Sequence, residues 1–576
     1  MLPLLYQSKS GNPPLRIGIL LDSAELLSFF AEIVNHIQQS NFASLELLVY
    51  NAEEQSNEAA PSAPSSPIKK GIDLLFDGPR RRAIMYRLYQ RWDRRNIDAA
   101  NDPLAMVDCS AAFAHVEAMA VTPIRKRFVH RFQPADIQAI RAKNLDVLIR
   151  FGFNILRGDI LTCAKYGVWS YHNGDNDYYR GGPAYFWEVY EQNPLSGAIL
   201  QVLTEALDDG KVLSKGVFET YPGMSQARNR MQSYWGSSTF IIQKLSELHQ
   251  HGWAHLERTK LPPAPYLGKK KIYTTPSNWE MVRWLVPTLA RKALQWPFRR
   301  AMAQHWRMAI RCGGQSLLDS GTSPNMNGFR TIEAPKGHFY ADPFLVEDEG
   351  KPWLFFEDYI YKTGRGNISC AEVTNGEIGN AVLVLERPYH LSYPCVFRDG
   401  GEWFMIPETA ANGTVELYRC LKFPHRWELH KKLFGASAVD TTLWVEDGVY
   451  WFFTSLREPR GRATQLWLFH ATSLTGDWTA HPSNPISTDV RNSRGAGAIF
   501  RHNGKLFRPS QDCSRHYGYS FTLNEILTLT LGDYAEKAVV TVNPLWAEGL
   551  AATHSYSRAG EVEIIDGCWP VPEGSV

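Results

Sequence analysis

Apolar residues follow one spacing in the first part of the chain and another in the last part. In the first part, nearly continuous apolar runs alternate with segments whose apolar residues recur every three or four positions. The runs are LRIGILL at 15–21, SLELLVY at 44–50 and LDVLIRFGF at 145–153. Buried strands alternating with helical segments predict a parallel, doubly wound sheet. We therefore expect a Rossmann-like α/β domain over residues 15–225.

Two stretches near the start of the chain lack this pattern. Residues 1–14 include Pro13 and Pro14 and contain no long apolar run, so we expect a disordered N-terminus without a signal peptide. Residues 51–70 begin NAEEQSNEAAPSAPSSP and are rich in Ala, Ser, Pro and Glu. Such biased composition predicts a mobile loop.

The last part of the chain repeats a unit of two strands joined by a turn that contains glycine. The copies are YADPFLVEDEGKPWLFFED from Tyr340, LSYPCVFRDGGEWFMIPE from Leu391, VDTTLWVEDGVYWFFTS from Val439 and GAGAIFRHNGKLFRPSQD from Gly495, with a weaker fifth copy near His554. Equivalent positions 342, 393, 440 and 497 are 51, 47 and 57 residues apart. This period suits a four-stranded blade, so we expect an all-β five-bladed propeller over residues 336–576. A stacked β-sandwich is the alternative.

The segment between these two domains, residues 226–335, is predicted to be a helical linker. Within it, residues 279–311 are rich in Trp and Arg, and Pro287 and Pro297 interrupt the pattern. A basic amphipathic helix can dock on an anionic membrane surface. Packing of its apolar face on a neighbouring domain is the alternative.

Composition excludes some classes of protein and places the chain in others. A chain of 576 residues is long enough for several domains, and 61 Lys and Arg against 59 Asp and Glu give a net charge of +2. This balance offers no support for a nucleic-acid partner. The eight cysteines are scattered without metal-ligand spacing, which indicates reduced thiols, a cytoplasmic location and no metal site.

Two segments of the first domain carry most of its candidate chemistry. They are WSYHNGDNDYYRGGPAYFWEVY at 169–190 and LQVLTEALDDGKVL at 200–213. The first resembles the N-x-H-x-S-L-L-P-x-Y-R-G loop of the formyltransferase family, and the second resembles that family's D-x-G-L-D-T-G segment. The resemblance implies a formyltransferase-like domain in which His172 and Asp208 form the catalytic pair, 36 residues apart in the sequence.

By this resemblance, the domain transfers a formyl group from 10-formyltetrahydrofolate to an amine. An imidazole can stabilise the tetrahedral oxyanion, and a carboxylate can hold the imidazole and accept the amine proton. Where the family has Asn, this chain has Ser170, a shorter hydrogen-bond donor to the oxyanion. The expected formyl-donor site is the loop formed by Arg150, Phe151, Gly152, Phe153 and Asn154. The expected substrate-binding residues are Asp175, Asp177, Tyr179, Arg180 and Gly181.

The second domain has candidate residues where a propeller gathers side chains, at the starts of inner strands and at the ends of the strands that follow. They are Asp342, Tyr393, Glu408, Asp440, Arg494 and Asp512. Two or three carboxylates around an axis suit cleavage or transfer at a glycosidic bond. Alternatively, Asp342 and Asp440 only cap turns. Arg494 stands where a third carboxylate is expected, and with the segment RPSQD it suits an anionic glycan.

The motifs YADPF and SLTGDWTAHPSNPI resemble five-bladed glycoside hydrolases that act on furanosides, and the whole region is similar to the propeller region of plant glucosamine inositolphosphorylceramide transferase. We therefore expect formyl transfer to a nucleotide-linked or lipid-linked amino sugar, with the propeller binding or modifying the glycan. One alternative is a glycoside hydrolase or transferase that acts through the propeller, with the first half as a scaffold. The other is a glycan-binding protein without catalysis.

Overall fold

The computed structural model describes residues 6–53, 81–205, 210–295, 302–314, 316–321, 324–457, 460 and 464–572. Contacts divide the chain into two compact units, Leu2–Gln295 and Trp296–Val576. Most of the predicted mobile loop at 51–70, and the first five of the N-terminal residues predicted to be disordered, lie outside the described residues.

The first unit is an α/β unit. Its strands are β1 (Leu15–Leu21), β2 (Glu25–Leu27), β3 (Ala43–Asn51), β4 (Met106–Asp108), β5 (Glu117–Val121), β6 (Ile124–Lys126), β7 (Val129–Arg131), β8 (Val147–Arg150), β9 (Ile155–Leu156), β10 (Val168–Asn173), β11 (Leu195–Val202) and β12 (Lys211–Glu219). Its helices are α1 (Ser28–Gln39), α2 (Ile84–Asp93), α3 (Ser110–Phe113), α4 (Pro134–Arg141), α5 (Trp187–Glu191), α6 (Gln226–Ser237), α7 (Phe240–His251), α8 (Trp253–Thr259) and α9 (Asn278–Gln295).

A seven-stranded sheet forms the centre of this unit, in the order β12-β11-β10-β8-β1-β3-β5. The strands from β10 to β5 are parallel, whereas β11 and β12 run antiparallel to their neighbours. Strand β1 is almost wholly buried, which explains its nearly continuous apolar run. The chain leaves β1 toward β3 on one side and returns to β8 on the other. In such sheets, ligands bind where the strand order reverses, beyond the carboxyl ends of the strands.

The predicted linker over residues 226–335 does not exist as a separate segment. Residues 226–295 belong to the first unit, because helices such as α7 bury their apolar side chains in it. The predicted basic helix at 279–311 is helical only as far as Gln295, because residues 302–312 form a strand of the second unit. None of the described helices is both long and apolar enough to cross a membrane.

The second unit consists almost entirely of strands. They are β13 (Met302–Cys312), β14 (Arg330–Ile332), β15 (His338–Asp348), β16 (Lys351–Ile360), β17 (Arg365–Thr374), β18 (Glu377–Ile378), β19 (Val382–Leu385), β20 (Ser392–Asp399), β21 (Glu402–Glu408), β22 (Val415–Lys422), β23 (Arg426–Phe434), β24 (Ala438–Glu446), β25 (Val449–Arg457), β26 (Thr464–Ala471), β27 (Thr479–Ala480), β28 (Arg494–Gly495), β29 (Phe500–His502), β30 (Lys505–Asp512), β31 (Ser520–Leu529), β32 (Tyr534–Val542), β33 (Tyr556–Ala559) and β34 (Val562–Pro572).

These strands form five antiparallel sheets, which comprise β15 to β19, β20 to β23, β24 to β27, β28 to β32, and the set β14-β13-β34-β33. The inner strands touch in sequence from β15 through β20 and β24 to β28, and β33 contacts β15. A hydrogen bond from Tyr556 N to Ala496 O joins the fifth sheet to the fourth. This circular arrangement agrees with the predicted five-bladed propeller.

The fifth sheet joins the two ends of the unit. Strand β13 pairs with β34 over eleven residues, so the first and last strands of the propeller lie side by side. The predicted start of the propeller at residue 336 was therefore too late, because β13 and β14 precede that residue. The pairing buries Trp306 and Met308, which the sequence pattern had assigned to a linker.

Candidate active site

The inner strands of three consecutive sheets carry the same irregularity. Asp342, Tyr393 and Asp440 have φ angles of 51°, 45° and 52°, and each lies at a β-bulge in its strand. In the fourth sheet, Gly497 has a φ of 129°. Positive φ angles are uncommon in residues other than glycine, and their recurrence here matches the predicted equivalence of these four positions. The bulges re-aim side chains at the axis of the unit.

A second set of equivalent positions lies fifteen residues after the first. They are Glu357, Glu408, Ser455 and Asp512. In the first three sheets these residues pair with the residue just before the left-handed position, as Ala341 does with Glu357. Sequence reasoning identified Glu408 and Asp512 but missed Glu357, although the same spacing pointed to it.

Asp342 belongs to a buried cluster contributed by the first and fifth sheets. Its Oδ1 accepts a hydrogen bond from Ser555 Oγ at 2.9 Å and lies 3.5 Å from His554 Nε2. His554 Nδ1 lies 2.7 Å from Asp566 Oδ2, and the backbone N–H groups of His554 and Ser555 donate to Asp566 Oδ1 at 2.9 Å. Trp306 stacks on the imidazole with the ring centroids 4.1 Å apart. Asp342 is thus fixed by several contacts, which goes beyond the capping of a turn.

Opposite charges in this cluster offset part of the cost of burial. Burial lowers the pKa of His554, but Asp566 and Asp342 outweigh that effect, so the pKa is raised overall. Burial raises the pKa of Asp342, and His554 partly opposes the rise. Asp342, His554 and Asp566 also offer three ligand atoms within 4.8 Å of one another, which is a grouping able to hold a metal ion. No metal site was predicted from the sequence, and Asp342 is 212 residues away from His554 in the chain.

Arg494 forms a buried, two-point ion pair with Asp440. Its Nε and Nη2 donate to the two carboxylate oxygens at 2.6 and 3.1 Å. The aromatic ring of Tyr517, which is 42% exposed, lies 4.9 Å from the guanidinium carbon. Because Asp440 already occupies the fork of Arg494, this arginine is a poor receptor for the anionic glycan that we predicted for it.

Glu408 is the half-buried carboxylic acid of the site. Burial, followed by the negative charge of Asp440, raises its pKa to about 7, while Arg494 opposes the rise. Burial and the charges of Asp342 and Glu408 raise the pKa of the more deeply buried Glu357 well above its usual range. Carboxylates from the first three sheets therefore lie close enough to repel one another, and this repulsion adds to burial in disfavouring the charged forms of Glu357 and Glu408.

The other two predicted residues of this site have visible structural roles. The Tyr393 hydroxyl is fully buried, lies 2.8 Å from Thr442 Oγ1 and accepts a hydrogen bond from Gly497 N at 2.8 Å. It joins the second, third and fourth sheets. Asp512 Oδ1 accepts a hydrogen bond from Ser514 N at 2.8 Å, which caps a turn.

In the first unit, several predicted residues line one cavity of about 360 Å³ beyond the carboxyl ends of β8 and β10. They are Arg150, Ser170, His172 and Gly181. His172 Nε2 donates to Tyr179 O at 3.3 Å. Asp208, the predicted partner of His172, lies outside the described residues.

The predicted formyl-donor loop only partly faces this cavity. Phe151 stacks on Phe30, Phe153 is buried against Phe132, and Asn154 N donates to His130 Nδ1 at 3.4 Å. A Cβ on Gly152 would lie 2.5 Å from Asp22 N, so this glycine permits close contact between two backbone segments. Ile155 and Leu156, which follow the loop, do line the cavity.

The predicted substrate-binding residues are held mainly by the protein itself. Lys215 Nζ donates to Asp175 at 2.7 Å and to Asp177 at 2.6 Å. The Arg180 guanidinium carbon lies 4.6 Å from the centre of the Tyr266 ring. Tyr179 and Gly181 both pack on Tyr273. The ring of Tyr179 lies 5.2 Å from the ring of Tyr273, and a Cβ on Gly181 would lie 2.3 Å from Tyr273 O.

Comparison with known proteins finds relatives of the second unit. Residues 329–551 match the family described as "Glucosamine inositolphosphorylceramide transferase 1, N-terminal". Glucosamine inositolphosphorylceramide transferase 1 of Oryza sativa subsp. japonica is 34% identical over 241 residues, which are 40% of this chain and 32% of the relative. The protein of the same name from Arabidopsis thaliana is 34% identical over 208 residues, 35% of this chain and 27% of the relative.

The chain thus spans about a third of the length of these curated relatives. The match confirms the predicted similarity of the C-terminal region to this transferase. The resemblance of the first unit to formyltransferases stays a prediction.

Solved structures show only distant likeness. A family 117 glycoside hydrolase from Zobellia galactanivorans has 11% identity and a TM-score of 0.31, covering 47% of this chain and 92% of that one. Glycinamide ribonucleotide transformylase 1 from Symbiobacterium toebii has 12% identity and a TM-score of 0.27, covering 42% and 89%. Likeness at this level establishes neither fold nor function.

Proposed function

We propose that the second unit is an enzymatic domain that cleaves or transfers a glycosidic bond, with Glu408 as its general acid. The observation that carries the proposal is the pKa of about 7 for a half-buried carboxyl group beside a converging set of carboxylates. A general acid works best when its pKa lies near the working pH. Cleavage of a glycosidic bond needs such an acid together with a second carboxylate.

In the proposed reaction, Glu408 donates its proton to the glycosidic oxygen as that oxygen leaves the anomeric carbon. Asp342, in its ionised form, stabilises the positive charge that develops on the sugar. The acceptor is water in hydrolysis and a hydroxyl group in transfer. It bonds to the anomeric carbon and gives its proton to the Glu408 carboxylate, which restores the acid. The names of the matched relatives suggest a glucosamine-bearing inositolphosphorylceramide as the first substrate to test.

The test uses the full chain with that glycolipid and with aryl furanosides, and mass spectrometry follows the loss or transfer of sugar. Replacing Glu408 by Gln keeps the shape of the side chain but removes the proton, so turnover should fall about 100-fold or more. Glu402→Gln is the matched control, because Glu402 lies at the other end of β21 and is 48% exposed. Saturable glycan binding by the parent without turnover would reject catalysis and favour a binding module. Full activity of Glu408→Gln would reject the assigned acid.

We propose formyl transfer from 10-formyltetrahydrofolate as a second candidate, for the first unit. It is supported by the presence of His172 and Ser170 in one cavity at the ligand-binding edge of the sheet. In that function the cofactor supplies the formyl group, Ile155 and Leu156 offer it an apolar wall, and His172 is the residue able to stabilise an oxyanion. Calorimetry with a stable folate analogue, comparing the parent with His172→Ala, tests this candidate. An absence of binding to the parent would exclude it.

A further inference from the structure

The cavity of the first unit has a polar floor formed by three neighbouring strands. Arg150 on β8 pairs with Ser170 on β10, and Ser170 pairs in turn with Gln201 on β11. All three line the cavity, and His172, two residues along β10, lies on the same face. Ser170 and Gln201 are 2% and 5% exposed, so the floor lies deep in the unit.

Arg150 is the unusual member of this floor, because its side chain is partly exposed while its Nε atom is buried, and it has no ion-pair partner among the described residues. Its Nη1 donates to Asn154 O at 3.1 Å, whereas its Nε is buried and makes no hydrogen bond. Throughout the described ranges, no carboxylate oxygen lies within the 4.0 Å ion-pair distance of this guanidinium. Asp22, the charge that influences it most, already accepts hydrogen bonds from Asn51 Nδ2 and Phe153 N. A buried N–H normally has a hydrogen-bond acceptor, so the unsatisfied Nε of Arg150 indicates a missing one.

The remaining charges of the cavity do not supply that partner. Arg157 lies 3.7 Å from Glu205, so these two charges offset each other. The other described lining is mostly apolar and consists of Ile155, Leu156, Tyr171, Gly181, Leu203, Thr204 and Ile272. Within its described lining, the cavity therefore combines one cation that lacks an ion-pair partner with a largely apolar wall, and its volume falls in the range of small-molecule sites.

We propose that this cavity binds a carboxylate carried on a compact apolar body, with Arg150 as the receptor for the carboxylate. A planar guanidinium matches the two oxygens of a carboxylate, and one uncompensated charge balances a monoanion better than a phosphate dianion. The Ser170 hydroxyl already donates to Tyr171 O at 3.2 Å, so the guanidinium of Arg150 is the donor left for the carboxylate. The inference concerns a different unit from the glycosidic site, and it requires no formyl transfer.

The experiment is calorimetry on the full chain with benzoate, with its neutral counterpart benzamide and with inorganic phosphate. Benzoate should bind saturably. Benzamide, which lacks the negative charge, and phosphate, which lacks the apolar body, should each bind about tenfold more weakly or worse. Arg150→Gln should weaken benzoate binding by a similar factor, and Arg150→Lys, which keeps the charge but loses the fork, should fall between. Arg16→Gln is the control, because Arg16 lies on the surface of the same unit in an ion pair with Glu46.

A direct readout guards against variants that fail to fold. In the parent, the ¹⁵N-labelled Nε–H signal of Arg150 should shift on addition of benzoate and stay in place with benzamide. No saturable benzoate binding, equal binding of benzamide, or a benzoate titration that leaves this signal unmoved would each overturn the proposal. Tighter binding of phosphate than of benzoate would overturn the choice of a carboxylate.

Discussion

The ion pair between Arg494 and Asp440 offers the sharpest test of how the axis of the second unit is held together. The two side chains are 11% and 4% exposed, and two hydrogen bonds join them. Replacing Arg494 by Met removes the cation but leaves the carboxylate of Asp440 buried. Because a carboxylate cannot recover its hydration there, the free energy of unfolding should fall by about 3–5 kcal/mol.

A second arginine three residues earlier provides the matched control. Arg491 makes equally short hydrogen bonds to Asp489, but its side chain is 51% exposed. Arg491→Met should cost less than about 1 kcal/mol, because water screens the exposed pair and solvates the carboxylate left behind. The double variant Arg494→Met/Asp440→Leu should recover most of the loss, since no buried charge then remains.

The measurement is urea unfolding, monitored by hydrogen exchange with mass spectrometry. Peptides from β24 and β30 report the second unit alone. If Arg494→Met and Arg491→Met lose similar stability, the argument from burial is refuted. If the double variant is as unstable as the single one, the loss comes from missing packing and not from an unpaired charge.

Two further predictions concern the same unit. The pKa of Glu408 is raised from 4.5 to about 7 in the folded protein. Between these two pH values the folded state holds a proton that the unfolded chain releases. The free energy of unfolding should therefore fall as the pH rises through this interval. Chemical denaturation at a series of pH values should show a shallower fall for Glu408→Gln, and an unchanged slope would contradict the assignment. Gly497→Ala should cost about 2 kcal/mol or more, because φ is 129° and the new Cβ would lie 2.0 Å from Tyr556 O. Gly435→Ala, where no atom lies within 4 Å, is its control, and equal stability of the two variants in urea would contradict the prediction.

The repeat in the sequence predicted the axial positions because each sheet is built locally. Strand, turn and strand are consecutive in the chain, so a fixed spacing places Asp342 and Asp440 at equivalent points of their strands. The closing strand could not be predicted in this way. Strand β13 pairs with β34, and Arg311 on β13 donates to Glu563 on β34, which is 252 residues away. Viewed locally, that arginine belongs to a basic amphipathic segment.

In the first unit too, contacts between residues far apart in the chain could not be predicted from the sequence. Asp175 and Asp177 follow a strand in a polar loop, which made them candidates for contact with a substrate. In the structure, Lys215 from β12 binds both carboxylates. Conversely, Arg150 ends an apolar strand, and the sequence predicted neither an ion-pair partner for it nor the absence of one. Whether a charged side chain is paired depends on contacts across the sheet, which single-sequence patterns do not contain.

The replacement of a carboxylate by Arg494 also bears on how the second unit works. In the fourth sheet, this arginine takes a place where glycoside cleavage would otherwise find its third acid. Asp440, which Arg494 binds, raises the pKa of Glu408, while Arg494 itself opposes that rise. Burial is the main cause of the raised pKa of Glu408, and the two members of the ion pair adjust that pKa in opposite directions. It follows that Arg494→Met should shift the pH optimum of any glycosidic activity upward, whereas Glu408→Gln should remove the activity at every pH.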